Sequence, residues 1–324
     1  MKADDLLVIP CYNEENRLPH ELALSLLAGG RIEILLVNDG STDRTREVID
    51  GLVKAGQGRI HALHMAENSG KAEAVRRGLL WGVEQGARCV GYADADFATP
   101  PKEILRLLEA MEAQGLGAVL GCRVARLGAQ VNRRFSRHLV SRVFASLASA
   151  VLGVSVYDTQ CGAKWFRVNP ALEATIAEKF SSRWAFDVEL LGRLLGRWGK
   201  GPRLDDDDVL EIPVRAWRDV GGSKVSLSGM LRAMSDMCRM VIVSMRLGRD
   251  YPKSLVKVSI GARLAHPRTS WSSPVELDGG AENDTLPRSQ LIVIGSHQPV
   301  ALGPDAVSTA IPGARGQRGA VAGR

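Results

Sequence analysis

The sequence predicts an α/β fold, a doubly wound and mostly parallel sheet flanked by helices, on three observations. Short apolar runs without polar alternation recur, the pattern of strands buried on both faces. Helical patterns separate them. The runs empty into polar loops bearing Asn, Asp, Gly or Ser, and such sheets bind ligands at these carboxyl ends.

Residues 6–9 are the first apolar run. Pro10 ends it, and 11–16 form a polar loop. Residues 18–27 are helical in pattern until Gly29 and Gly30 stop them. A second strand covers 32–37. The turn 38–43 follows, and Thr42 or Asp43 caps a helix over 44–54. A third strand at 60–65 leads through a glycine-bearing loop, 67–71, to a helix over 72–84. The run 88–92 then ends at Asp94-Ala95-Asp96, and Pro100-Pro101 opens another helix. Residues 120–122 end a further strand, and 209–214 form another. The acidic run 205–208 reads as a solvated loop, because four consecutive carboxylates cannot all face one ion. Residues 228–247 carry an apolar stripe at helical spacing. From residue 251 prolines punctuate a Ser/Gly/Ala-rich tail in which only 290–295 looks strand-like. The expected division is a domain over 1–250 and a disordered tail over 251–324.

Composition narrows the function. The 324 residues are 45% hydrophobic and 24% charged, as in a soluble globular protein. The net charge of +6 and pI near 9.2 favour acidic partners. Five scattered cysteines with no C-x-x-C argue against a disulfide framework or zinc site and fit a reducing cytoplasm. No signal peptide or membrane-spanning run is read. There is no G-x-G-x-x-G, and Gly70-Lys71 lacks the spacing of a nucleotide-hydrolase phosphate loop.

The topology brings Tyr12, Asp39, Lys71, Asp94 and Asp96 to one crevice. Two carboxylates one residue apart on a loop suit a hard divalent cation that bridges substrate phosphates. The competing reading is a strand-to-helix turn with Asp96 as a capping residue.

Four motifs in order carry a family resemblance: residues 8–15 (Val-Ile-Pro-Cys-Tyr-Asn-Glu-Glu), 37–43 (Val-Asn-Asp-Gly-Ser-Thr-Asp), 68–71 (Asn-Ser-Gly-Lys) and Asp94-Ala95-Asp96. The chain resembles family-two inverting glycosyltransferases of the GT-A fold. Residues 158–164, 186–189 and 222–224 are similar to the polyprenyl-phosphate branch, in particular to dolichyl-phosphate glucosyltransferases. The resemblance covers about residues 6–249.

It implies that Pro10, Tyr12, Glu14, Val37, Asp39, Lys71, Asp94 and Ala95 bind a nucleotide sugar. Tyr12 offers a ring face, while Asp39 and Glu14 accept hydrogen bonds from base or ribose. The alternatives are a turn-forming role for Asp39 and a solvated loop charge for Glu14. Asp96, with Asp94 beside it, implies a Mg2+ or Mn2+ ion on the diphosphate. One departure bears on the sugar. Mannose synthases of this family place a metal-binding glutamine two residues after the second aspartate, where this chain has Ala98. That favours UDP-glucose over GDP-mannose.

The acceptor side is read from charge. Between Glu112 and Asp158 there is no acidic residue but six arginines, at 123, 126, 133, 134, 137 and 142. Guanidinium forks match phosphate oxygens. Arg123, Arg134, Arg137, Gln160, Ser223 and Lys224 are the candidates for the acceptor phosphate, and Asp94, Asp96, Arg123 and Lys224 for catalysis. Asp158 and Gln160 either shape the acceptor loop or orient the sugar. The helix begun by Arg134 and Arg137 is either a basic amphipathic interface helix or an ordinary core helix with a basic exterior.

The expected activity is transfer of a hexose, glucose from UDP-glucose, to a polyprenyl or dolichyl phosphate. The expected location is the cytoplasmic face of a membrane, held peripherally or by an anchor subunit, with no nucleic-acid partner. A phosphate acceptor is already anionic, so orientation and electrostatics suffice without a strong general base. The alternatives are a mannosyltransferase, a transferase with a soluble acceptor, or a non-catalytic sugar-nucleotide-binding scaffold.

Overall fold

The computed structural model describes residues 4–124, 130–132, 135–183, 185–198, 201–218, 220, 235–236, 239 and 292–293. Parallel strands β1 (Asp5–Cys11), β2 (Ile32–Asn38), β3 (Ile60–His64) and β4 (Cys89–Ala93) alternate with helices α1 (His20–Ser25), α2 (Thr45–Ala55) and α3 (Lys71–Glu84). Helix α4 (Pro101–Ala113) and strands β5 (Ala118–Cys122) and β6 (Gln130–Asn132) follow. Then come α5 (Phe135–Leu152), β7 (Ala163–Arg167), α6 (Pro170–Ala177) and α7 (Phe186–Leu194). Strands β8 (Val209–Pro213), β9 (Ala216–Arg218) and β10 (Ile292–Val293) complete the described elements.

The main sheet has the order β10-β8-β5-β7-β4-β1-β2-β3. β1 lies between β2 and β4, so the chain winds one way through β2 and β3 and then crosses to β4. The loops after β1 and β4 therefore diverge and leave a crevice at their carboxyl ends. The expected mostly parallel sheet is present, with β7 inserted antiparallel between β4 and β5. That insertion was not expected, because the short segment Ala163–Arg167 carries Lys164 and Arg167. β6 and β9 form a separate parallel pair. Pro10 does not end β1 but pairs with Val37 inside it. It lies beyond the last β1–β4 pair, Val8 with Tyr92, where a missing N–H is tolerated.

Successive residues of each strand serve opposite cores. Leu6 and Val8 join Val75, Leu79, Leu172 and Leu190 on the face covered by α3, α5, α6 and α7. Leu7 and Ile9 join Ile49, Leu52, Ile104 and Leu107 on the face covered by α1, α2 and α4. Each fully buried aliphatic side chain contributes about 1.5–3 kcal/mol. Two buried Glu–Arg pairs lock helices to loops. Arg76 pairs with Glu73 and donates to the Ile176 carbonyl at 3.0 Å. Arg106 pairs with Glu103 and donates to the Pro213 carbonyl at 2.9 Å.

The acidic run behaves as expected: Asp206–Asp208 form a short 3-10 turn with no buried residue. Of the 228–247 pattern, residues 235, 236 and 239 are described and helical, and the rest lies outside the described residues. In the tail the described backbone is Ile292–Val293, antiparallel to β8. No helix among the described residues is long and apolar enough to cross a membrane.

Helix α3 approaches β1 through Gly78, where a Cβ would come within 2.3 Å of Val8 Cγ1. Gly78→Val is expected to destabilise the fold by about 1–3 kcal/mol through overpacking. A lower urea midpoint at unchanged slope checks this; a wild-type midpoint contradicts it.

Candidate active site

β4 delivers the Asp94-Ala95-Asp96 turn into the crevice. The Asp94 N–H donates to the Gly162 carbonyl at 3.0 Å, and the Phe97 N–H to the Asp94 carbonyl at 3.1 Å. Asp96 Oδ1 accepts from the Ala98 N–H at 3.1 Å. Phe97 takes a left-handed φ of 48° while its ring is buried in the core. A bulky residue persists there only where its surroundings impose it. The turn is thus bolted down by Phe97 and exposes its two carboxylates.

Both carboxylates carry an internal cation. Lys71 Nζ, at the start of α3, lies 2.5 Å from Asp94 Oδ1. Arg17 Nη2 donates to Asp96 Oδ2 at 3.0 Å. Burial, and then the Asp94 charge, push the Asp96 pKa up against the pull of the Ala98 N–H, Arg17 and Lys71. Burial alone would lower the Lys71 pKa, but attraction to Asp94 and Asp187 outweighs it and raises the value. Asp94 also rests on Gly162: a Cβ there would stand 1.9 Å from Asp94 Oδ2.

The loops after β1, β2 and β3 are stapled together. Asn13 accepts from the Thr42 N–H at 2.9 Å, and Thr45 Oγ1 accepts from the Glu14 N–H at 2.7 Å. The Asp39 carboxylate accepts from the Ser69 N–H at 2.7 Å and the Gly70 N–H at 2.8 Å. Burial nevertheless raises its pKa. Asp39 therefore holds the Asn68–Lys71 loop in place, while its own turn is held by Asn38, whose Oδ1 accepts from the Ser41 N–H at 3.1 Å. Gly40 (φ 60°) lies under that loop, where a Cβ would stand 2.4 Å from the Glu67 carbonyl carbon. Arg183 closes the far side and donates to Asn68 Oδ1 at 2.9 Å.

Pro10 and Tyr12 are half-buried at the crevice, and Glu14 is buried beside them. Val37 and Ala95 are buried. Both side chains are packed in the cores beneath the crevice, because strand alternation and the tight turn point them inward. Ala98 is buried as well. Its N–H is taken by Asp96, and its carbonyl accepts from the Arg218 N–H at 3.0 Å.

On the acceptor side Arg123 follows β5 as expected, but its fork is engaged by Asp158. Nε donates to Oδ2 at 2.6 Å and Nη2 to Oδ1 at 2.8 Å. The Trp217 ring lies 5.4 Å from the guanidinium. Its charge is thus balanced within the protein by Asp158. Burial would lower the Arg123 pKa, but Asp158 raises it. Glu211 of β8 lies beneath and accepts from the Tyr157 N–H at 2.6 Å and the Asp158 N–H at 2.8 Å. Gln160 donates to Asp187 at 3.4 Å. Arg137 is within α5, its side chain not described; Arg134, Ser223 and Lys224 lie outside the described residues.

Behind Asp94 is a buried hub absent from the site read in the sequence. Asp187 of α7 accepts from the Tyr92 hydroxyl and from Lys164 Nζ, the latter at 2.7 Å. Lys164 also donates to the Cys161 carbonyl at 2.7 Å, fixing the turn on which Asp94 rests. Lys164 and Asp187 stood in the family-like motifs, but no local signal paired them. Arg17 had one local signal, its i,i+3 spacing from Glu14.

The donor set on the 94–96 turn, two hard carboxylates one residue apart, fits Mg2+ or Mn2+. The group Asp5, Cys89 and Glu112 also draws together, but at the opposite strand ends, where Arg31 and Arg88 neutralise both acids.

Residues 6–173 match the model of glycosyl transferase family 2. The chain belongs to this family. It is 29% identical over 230 residues to polyprenol monophosphomannose synthase of Mycolicibacterium smegmatis, covering 71% of this chain and 83% of that one. It is 35% identical over 240 residues to dolichyl-phosphate beta-glucosyltransferase of Drosophila melanogaster, covering 68% of each. Among solved structures, glucosyl-3-phosphoglycerate synthase from Mycobacterium tuberculosis in complex with UDP superposes with a TM-score of 0.53 at 18% identity. That match covers 74% of this chain and 81% of the other, and it shows the shared α/β fold of this glycosyl transferase.

Glu211 gives the site a pH signature. Burial raises its pKa from 4.5 to about 7. Below 4.5 it is protonated folded and unfolded. Between 4.5 and 7 the unfolded chain releases the proton first, so this group's stability contribution falls and then levels off above 7. Wild type should therefore lose stability relative to Glu211→Gln from pH 5 to pH 8. Urea titrations at both values check this; an unchanged difference contradicts it.

Proposed function

We propose that this chain transfers glucose from UDP-glucose, with inversion, to the phosphate of a polyprenyl phosphate at a membrane surface. The observation that carries the reading is the Asp94–Asp96 turn, braced by Gly162 and flanked by Lys71, in a chain of this family. The named relatives share a polyprenyl- or dolichyl-phosphate acceptor across two sugars, which supports the acceptor class. A solved structure of similar fold, glucosyl-3-phosphoglycerate synthase from Mycobacterium tuberculosis, holds Mn2+ together with UDP and glucosyl-3-phosphoglycerate, which supports a divalent ion here.

Asp94 and Asp96 would hold that ion, which stabilises the negative charge developing on the leaving diphosphate. The chain's own residues do the rest. Lys71 brings a permanent positive charge to the diphosphate side of the crevice, at the N-terminus of a 14-residue helix. Asp39 and Arg183 fix the loop that carries Lys71. Asp158 and Glu211 fix the loop that carries Gln160 on the acceptor side. The acceptor phosphate attacks the anomeric carbon as an anion, so the crevice supplies alignment and charge balance, not proton abstraction.

Ala98 supports glucose: its buried methyl group offers no metal ligand where the mannosyl pattern has glutamine. GDP-mannose is the second reading, favoured by the likeness to the M. smegmatis enzyme. A screen of UDP-glucose, UDP-galactose and GDP-mannose against polyprenyl phosphate with Mg2+ or Mn2+ separates them. Glycolipid from UDP-glucose is expected, with Asp96→Ala lowering kcat/KM by at least about 100-fold. Product from GDP-mannose alone rejects the glucosyl reading. Full activity of Asp96→Ala rejects the metal role.

A further inference from the structure

The two oxygens of Asp96 are held in different ways. Oδ1 accepts from the Ala98 N–H, a bond internal to the turn. Oδ2 accepts from Arg17, a side chain 79 residues away on the loop after β1. The base of Arg17 is fixed: its N–H donates to the Glu14 carbonyl at 3.0 Å, and the Glu14 N–H is held by Thr45. Its guanidinium, 22% exposed, reaches across the crevice mouth to Asp96 and lies 3.7 Å from Glu14. Oδ2 is the oxygen left over for a divalent cation, which would meet the Arg17 guanidinium there. Two positive charges at one oxygen repel, so Arg17 and a cation would compete for Oδ2.

We propose that Arg17 is an exchangeable counter-ion of the donor site. It balances Asp96 until the cation displaces it, and then pairs with the donor's diphosphate. This rests on the reading of Asp94–Asp96 as a cation site. A guanidinium fork binds carboxylate and phosphate oxygens with the same geometry, so the exchange keeps its hydrogen bonds paired. The nucleotide draws Arg17 off Asp96 and favours the cation; the cation releases Arg17 to the nucleotide. Each ligand then tightens the other by the same factor, as linkage requires. The device also keeps a pair of neighbouring carboxylates balanced between turnovers.

The test is Mn2+ binding, read from the free-ion paramagnetic resonance signal, for wild type, Arg17→Met and Arg17→Lys, with and without UDP. Without UDP, Arg17→Met is expected to bind Mn2+ about tenfold more tightly than wild type, with Arg17→Lys between them. UDP should tighten Mn2+ binding strongly in wild type and much less in Arg17→Met. Thermal unfolding confirms that the variants fold. Mn2+ affinity of Arg17→Met within twofold of wild type, or weaker, overturns the exchange while leaving the cation site standing. Failure of wild type to bind Mn2+ even with UDP overturns the cation reading and this inference together.

Discussion

The Asp94 carboxylate lies against the bare α-carbon of Gly162, and much of the crevice depends on that contact. Gly162 sits on a turn joined to β7, and β7 pairs antiparallel with β4, the strand that carries Asp94. The turn is fixed from beneath by Lys164, which is fully buried and paired with Asp187. Breaking such a pair costs about 3–5 kcal/mol because it strands a buried charge. The pair therefore ties α7, β7 and β4 into one unit. Lys71 then approaches Asp94 from the front, over the Phe186 ring at 6.0 Å.

The same logic runs along the crevice. Asp96 faces Arg17, Asp158 faces Arg123, and Asp39 faces the N–H groups of the Lys71 loop. Charges of both signs are set close together and held by groups from different loops. A ligand that brings a diphosphate and a cation adds both signs at once. It can re-pair these groups without stranding one of them, which suits an ion-paired crevice to a nucleotide diphosphate better than to a neutral ligand.

Much of this was legible in the sequence because it is local. The apolar runs, the loops after β1, β2 and β4, and the aspartate pair are each visible within ten residues. What was not legible depends on pairing across the fold. Arg123 heads a stretch without acidic residues, which makes it a candidate for the acceptor phosphate but hides its ion pair. Its partner is the very residue that ends the stretch, Asp158. Glu211 read as an ordinary strand position, and only the two N–H groups above it explain a fully buried carboxylate on β8. Val37 belongs to the candidate site by its motif, and only the strand register shows that its side chain turns into the core. Phe97 shows the reverse case: its left-handed backbone has no sequence signal, yet it shapes the turn that displays both aspartates.

Gly162 is decisive for donor binding although it has no side chain to offer a ligand. The direct measurement is calorimetric UDP affinity of Gly162→Ala in the presence of Mn2+, alongside its thermal midpoint. A Cβ at that position forces the Asp94 carboxylate, now paired with Lys71, to shift. UDP binding weakened by about tenfold or more in a folded variant is the predicted result. Wild-type affinity in that variant would contradict the claim that Asp94, held against Gly162, is the centre of the site.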